Sequence, residues 1–215
     1  MLQLREFRHP SGYRNVPART VDTRREWEQP VPMRKVTSAL FSSVDGVVES
    51  PNLWQFDHFD DDMGPAMDAA LASIDTVLLG RNTYEQWASY WPDPSHDDEF
   101  GQFINPIRKY VASRTLQGPL EWENSSLIEG DLAEFVADLR TTEGGTIGIQ
   151  GSISVVRQLL FAGLLDELTL MVHPVVAGEG DRLFRPDDPT TRLELKSSQI
   201  TSSGNALLTY SLRRE

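Results

Sequence analysis

The chain has 215 residues, 39% hydrophobic and 24% charged, enough for one globular domain with a real core. Its 20 basic and 32 acidic side chains give a formal charge of −12, which argues against general binding to nucleic acid or anionic lipid and requires a local basic site for any anionic ligand. With no cysteine there is no disulfide, thiolate nucleophile or Cys-ligated zinc, and His9, His58, His96 and His173 lack metal-ligand spacing. No apolar run reaches the ~18 residues that span a bilayer, and no signal-type stretch opens the chain, so a soluble cytoplasmic protein with no membrane or nucleic-acid partner is expected.

Residues 1–32 carry six arginines against four acids with little periodicity and read as a flexible extension. The pattern changes at Met33, a candidate alternative start, and residues 33–215 read as one domain. Strands are predicted at Lys35–Val44, Thr76–Leu79, Lys109–Ser113, Ser126–Ile128, Thr146–Ile149, Asp166–His173, Arg192–Ser198 and Ala206–Leu212. Helices are predicted between them at Asp60–Ser73, Thr83–Tyr90, Asp131–Arg140 and Ser152–Phe161. Strands alternating with helices predict an α/β sheet with helical crossovers. The last two strands are separated only by the turn-like Ser202-Ser203-Gly204-Asn205, which predicts a closing antiparallel hairpin.

Three strand ends carry phosphate-type chemistry. Val77-Leu78-Leu79 reads as a central strand covered on both faces. Gly80 lets the chain turn, and Thr83 with Gln86 three residues later fits a capping box, so Thr83 is the predicted N-cap of the next helix. A helix start with bare amides and Arg81 beside it suits an anion, although an arginine there also simply pairs with a surface carboxylate. A second strand ends in Ser113-Arg114-Thr115. A third meets Gly151-Ser152 at the start of a helix with Ile153, Val156, Leu159 and Leu160 on one face. Ligands of open α/β sheets collect at such strand ends.

Taken in order and spacing, "SSVDGVV" after the first strand, "LLGRNTYE", "KYVASRTL", "IQGSISVVRQLL", "GLLDELTLMVHPVVAGEGDRLF" and the closing hairpin resemble the dihydrofolate reductase superfamily. The resemblance is specifically to stand-alone bacterial members related to the reductase domain of the riboflavin-biosynthesis deaminase/reductase. It implies a three-layer α/β fold: a central eight-stranded, mostly parallel sheet with an antiparallel C-terminal hairpin and helices on both faces. It also implies NADPH as cofactor and a reductase acting on a small pterin-, pyrimidine- or ribose-derived substrate. The long apolar "GLLDELTLMVHPVV" strand, with few charged gatekeepers, fits a homodimer that buries it.

By the same resemblance, Gly80, Arg81 and Thr83 hold cofactor phosphates, Ser113, Arg114 and Thr115 meet the adenosine 2′-phosphate, and Gly151 and Ser152 form the pyrophosphate turn, with Ser152 where the family usually has a second glycine. Asp45 and Gly46 match the turn beside the nicotinamide. The supporting carboxylate falls among Asp60, Asp61, Asp62 and Asp68, with Asp61 and Asp62 the candidates alongside Asp45. Trp54, Phe56, Tyr84 and Trp87, with Gln150, are candidates to surround a flat substrate. Trp87 and Gln150 stand where the riboflavin branch commonly has acids, and the deaminase is absent, since there is no cysteine for its zinc. The readings are thus a general NADPH-dependent reductase, the 5-amino-6-(5-phosphoribosylamino)uracil reductase of riboflavin biosynthesis, and a non-catalytic nucleotide-binding module. His173, before Pro174, reads as a proton donor or as a structural residue near a subunit interface.

Overall fold

The structure is a computed structural model that describes residues 32–96 and 98–213. The expected extension, Pro32 apart, lies outside the described residues. One eight-stranded sheet runs through the domain in the order β4-β3-β2-β5-β1-β6-β8-β7. Its strands are β1 (Val36–Ser43), β2 (Ile74–Gly80), β3 (Arg108–Ala112), β4 (Ser125–Leu127), β5 (Thr146–Ile149), β6 (Glu167–His173), β7 (Leu193–Ile200) and β8 (Ala206–Leu212). The first six pair in parallel, and β8 runs antiparallel to both β6 and β7. The helices are α1 (Met63–Leu71), α2 (Arg81–Ala88), α3 (Glu99–Ile104), α4 (Leu132–Leu139) and α5 (Ile153–Phe161).

Pleating explains the two cores. Leu78, Ile147, Ile149, Val36 and Leu168 point to one face and pack with Val136 of α4 and Val155, Val156, Leu159 and Leu160 of α5. Val77, Leu79 and Val111 point to the other and pack with Tyr84, Ile104 and Trp122. A central strand needs apolar residues on both faces, which is why Val77-Leu78-Leu79 is uninterrupted. At the amino ends of the strands two nearly buried arginines fix register. Arg34 donates to Asp75, to Gly145 O (2.8 Å) and to Thr76 Oγ1 (2.8 Å), while Arg140 donates to both carboxylate oxygens of Asp166 (2.9 and 3.0 Å). Asp166 also accepts the Val36 amide at 2.9 Å, so β1 is tied to the entry of β6 before the ladder begins.

The predicted strands and hairpin are present within a few residues of their expected limits. Three expectations need correction. Helix α2 starts at Arg81 and its N-cap is the extended Gly80, not Thr83, because Gly80 ends β2 and turns directly into the helix. Helix α1 begins at Met63 rather than Asp60, since Asp60 and Asp62 are engaged with the β7–β8 turn. Strand β6 lies inside the sheet between β1 and β8, so both its backbone edges are paired within the chain, not left open as an edge-strand reading of its apolar run assumes. Helix α3 was not expected from the pattern. Asp98 caps it by accepting the Gly101 amide at 2.8 Å.

Lys109 holds the far end of α3. Its side chain is fully buried, its ammonium donates to Ile104 O, Asn105 O and Ile107 O at 2.8–2.9 Å, and it lies 4.5 Å from the Trp122 ring centroid. Three protons meet three carbonyls. Lys109→Met keeps the stem but strands those carbonyls and is expected to lower the unfolding free energy by about 2–4 kcal/mol. Urea unfolding of the variant, with an unchanged m-value and a fall of that size in the extrapolated stability, is the check.

Candidate functional site

The strand order places the carboxyl ends of β3, β2 and β5 side by side, and three of the loops singled out in the sequence leave from them. Gly80 pairs with Ala112 at the tip of β3, so Gly80-Arg81 and Ser113-Arg114 emerge together. On the other side the Gly80 amide donates to Gly151 O at 3.1 Å. A β-carbon built on Gly80 falls 2.1 Å from Ser152 Oγ, and one on Gly151, whose φ is +124°, falls 2.8 Å from Thr83 Oγ1. Both positions exclude any side chain. The Gly151–Ser152 peptide is cis. Gly80 and Ser152 are the N-caps of α2 and α5, and neither helix start is closed by a side-chain cap. The N-termini of two helices of eight or more residues therefore lie in contact at neighbouring strand tips.

The two cations differ. Arg81 is exposed and pairs with Glu85 one turn along at 3.2 Å, the ordinary alternative for an arginine at a helix start. Arg114 is exposed and has no hydrogen-bond or ion-pair partner among the described residues. Ser113 Oγ accepts the amides of Thr115 (3.1 Å) and Leu116 (2.9 Å), which fixes the turn that carries Arg114.

The candidate carboxylates act as latches. Asp45 accepts from Ser43 Oγ (2.7 Å), the Ala177 and Gly178 amides (2.9 and 3.1 Å) and Arg182 (2.9 Å), joining the turn after β1 to the loop after β6. The Ser43 hydroxyl foremost, then those amides, hold its pKa at about 2. Asp60 accepts the Ser203 amide at 2.7 Å and Asp62 the Ser202 amide at 2.9 Å, binding the segment before α1 to the β7–β8 turn. The Thr201 hydroxyl leads the effects that hold Asp60 at about 2. Asp61 is exposed.

A groove of about 380 Å³ opens between α1 and the sheet face formed by β1, β5 and β6. Gln150 lines it and joins it to the Gly151-Ser152 turn. Much of its wall is small or hydroxylic, as with Thr37 and Ala39 of β1, Thr169 of β6, and Ala69 and Ala70 of α1, while Leu71 and Ile74 add apolar bulk. The only carboxylate lining it is Glu167, paired with Lys35 at 2.7 Å.

Of the candidate aromatics, Tyr84 is buried in the second core, where its hydroxyl accepts the Trp122 amide, and Trp87 packs edge-on against Trp91 and Phe100. Neither lines the groove. Phe56 is exposed, and Trp54 sits edge-on over the His173 ring at 5.8 Å. Sequence reasoning missed Thr37, Ala39 and Thr169. The available signal was small residues on the strand face opposite Val36, Leu40 and Leu168, where a covered sheet carries bulk.

The family model described as the RibD C-terminal domain matches residues 34–207. The Bacillus subtilis (strain 168) protein YyaP is 32% identical over 184 residues, 82% of this chain and 94% of that protein. Among solved structures, a Shewanella sp. PV-4 protein assigned to riboflavin biosynthesis superposes with TM-score 0.69 at 20% identity, over 84% of this chain and 99% of that one. A dihydrofolate reductase of Enterococcus faecalis, solved with NADP(H), superposes with TM-score 0.55 at 17% identity, over 84% and 97%. These two likenesses concern the fold.

The latches give a pH test. Asp45 and Asp60 have folded pKa values below the unfolded value of 3.8, so their contribution is present above about pH 4 and lost as pH falls toward 2. Amide exchange in residues 44–62 is expected to quicken over that window before exchange in β2 and β5 does. Asp45→Asn is expected to be loose at both ends of the window, and pH-independent protection in the parent chain would rule out the latch.

Proposed function

Because the chain belongs to the RibD C-terminal domain family, we propose that it is an NADPH-dependent reductase acting on a small heterocyclic or ribose-derived substrate. The observation that carries this is the close contact of Gly80, Gly151 and Ser152 at neighbouring strand tips. No side chain fits there, and two uncapped helix starts converge on it. Gly80, Thr83, Gly151 and Ser152 would hold the pyrophosphate through close backbone approach. Arg114, free of any carboxylate among the described residues, would take the 2′-phosphate through its forked donors. Arg81 would contribute once it releases Glu85.

NADPH, when bound, supplies hydride to a C=N or C=O carbon. The chain's own part is to orient and to exclude water. Gln150 stands between the strand tips and the groove, with a carboxamide that can both donate to and accept from a flat ring. The segment tied down by Asp45, Asp60 and Asp62 flanks the same end of the sheet. With those carboxylates engaged, the proton that accompanies hydride would come from water or from a neutral group rather than from Asp45 or Asp62.

The lack of a free carboxylate in the groove also favours a second reading, dinucleotide binding without turnover. NADPH oxidation across a panel of pterins, pyrimidines and carbonyl compounds separates the two. Rescue of a riboflavin auxotroph would narrow the substrate to the riboflavin intermediate.

NADPH is expected to raise the melting temperature. Arg114→Ala is expected to weaken NADPH about tenfold, near 1.4 kcal/mol, while leaving NADH unaffected. Gly80→Val is expected to abolish both shifts. No NADPH response in the parent chain, together with no effect of Arg81→Ala, would end the cofactor assignment.

A further inference from the structure

Residues opposite one another on neighbouring strands point to the same side of a sheet, so the registers of β6, β8 and β7 set three rows across it. The rows are Leu168-Tyr210-Leu195, Leu170-Leu208-Ser198 and Val172-Ala206-Ile200. None of these side chains is charged. They stand on the side that α4 and α5 cover further along the sheet, where the core takes in Leu168 and Leu170. Past those two the cover thins: β8 is only half-buried along its length, Leu195 is 51% exposed and Ile200 67%. Strand β7 keeps the alternation of a strand with one covered face, since Glu194, Ser197 and Gln199 stand on the opposite side. Its apolar side is nevertheless left mostly exposed past Leu193.

The free backbone edges of the sheet are poor joints. Strand β4 has three residues, and β7 breaks register at Lys196, so a bulge and a cation interrupt that edge. The face has no such guard, and charge selects what covers it. The chain carries −12, yet neither a basic nor an acidic partner finds an opposite charge among the three rows, so the counterpart is an uncharged apolar surface. The same face on a second copy is one, and a two-fold axis lays it onto itself with the carboxylates of both copies left outside. The three strands span about 24 Å by about 14 Å. Side-chain relief on that footprint brings the surface toward the ~600 Å² per partner at which stable interfaces begin.

We infer that the chain pairs with a second copy of itself, face to face, through β6, β8 and β7. The two sheets stack as in a sandwich, with Leu195, Ile200, Leu208 and Tyr210 in the seam. The inference is independent of the reductase reading, because the tips of β3, β2 and β5 lie toward the other end of the strand order and stay open in the pair.

The test uses the full chain. At tens of micromolar, light scattering is expected to give twice the chain mass of 24.2 kDa. Ile200→Asp places a charge in the seam at a position already mostly exposed, and is expected to raise the dimer dissociation constant at least a hundredfold with unchanged far-UV circular dichroism. Gln199→Asp adds the same charge on the opposite side of β7 and is expected to leave the mass unchanged. Because the chain has no cysteine, Ser198→Cys supplies a single thiol in the seam. In reducing buffer its labelling by a maleimide is expected to be slow at that concentration and faster on dilution, whereas Ser197→Cys, on the other side, labels at one rate. A dimer that survives Ile200→Asp overturns the inference, as does a chain of 24.2 kDa whose Ser198→Cys thiol labels freely. A chain of that mass whose thiol labels slowly at every dilution has the face covered by its own residues 1–31, and this too overturns it.

Discussion

The contact between Gly80 and Ser152 is the constraint on which the site depends. Two strands of one parallel sheet, β2 and β5, end at adjacent positions and each turns at once into a helix. The starts can approach this closely only because Gly80 has no side chain and Gly151 adopts a positive φ. Backbone polarity is thereby concentrated without any gathering of charged residues. On the proposed reading this resolves an apparent conflict in the composition: an acidic molecule would hold an anion by backbone geometry with few cations.

The carboxylates show the complementary principle. Residues 44–62 contain little regular structure, so their position must be imposed from outside. Asp45 ties one end to the loop after β6, while Asp60 and Asp62 tie the other to the β7–β8 turn. Several donors meet Asp45 and Asp60, which makes these two good clamps and poor proton sources. The groove is lined mainly by hydroxyls, alanines, Leu71, Ile74 and one carboxamide, and its one ion pair, Lys35 with Glu167, is self-neutralising. Such a wall discriminates by shape and hydrogen-bond pattern more than by charge.

Much of the fold was legible because burial in a sheet leaves a direct trace. Val77-Leu78-Leu79 could only be a strand covered on both sides, and Ser202-Gly204 marked the closing hairpin. The strand tips were legible for the same reason: Gly80 and Gly151 are small where the chain has to turn. What was not legible depended on partners distant in sequence. Nothing local distinguishes Asp62, which accepts an amide from Ser202, from a carboxylate poised for catalysis. Tyr84 and Trp87 read equally well as a stacking pocket or as core, and the decision came from α3 and Trp122 packing over them. Thr83 satisfied a capping pattern that the extended Gly80 pre-empted. The groove escaped notice because small residues such as Ala39 and Thr169 announce themselves only by the bulk they lack.

The strand order has a consequence for how the molecule comes into being. Strand β5 inserts between β1 and β2, and β8 between β6 and β7, so β1 and β2 complete their pairing only with a strand made much later in synthesis, and β6 with one made after β7. A ribosome-bound chain that has not yet emitted residue 152 lacks β6, β7 and β8 and with them three of the seven ladders among the described residues. The final turn, once released, completes the roof over His173. Maturation therefore proceeds from long-range closures rather than local ones, a topology that slows acquisition of the native state and leaves open edges for chaperones to guard.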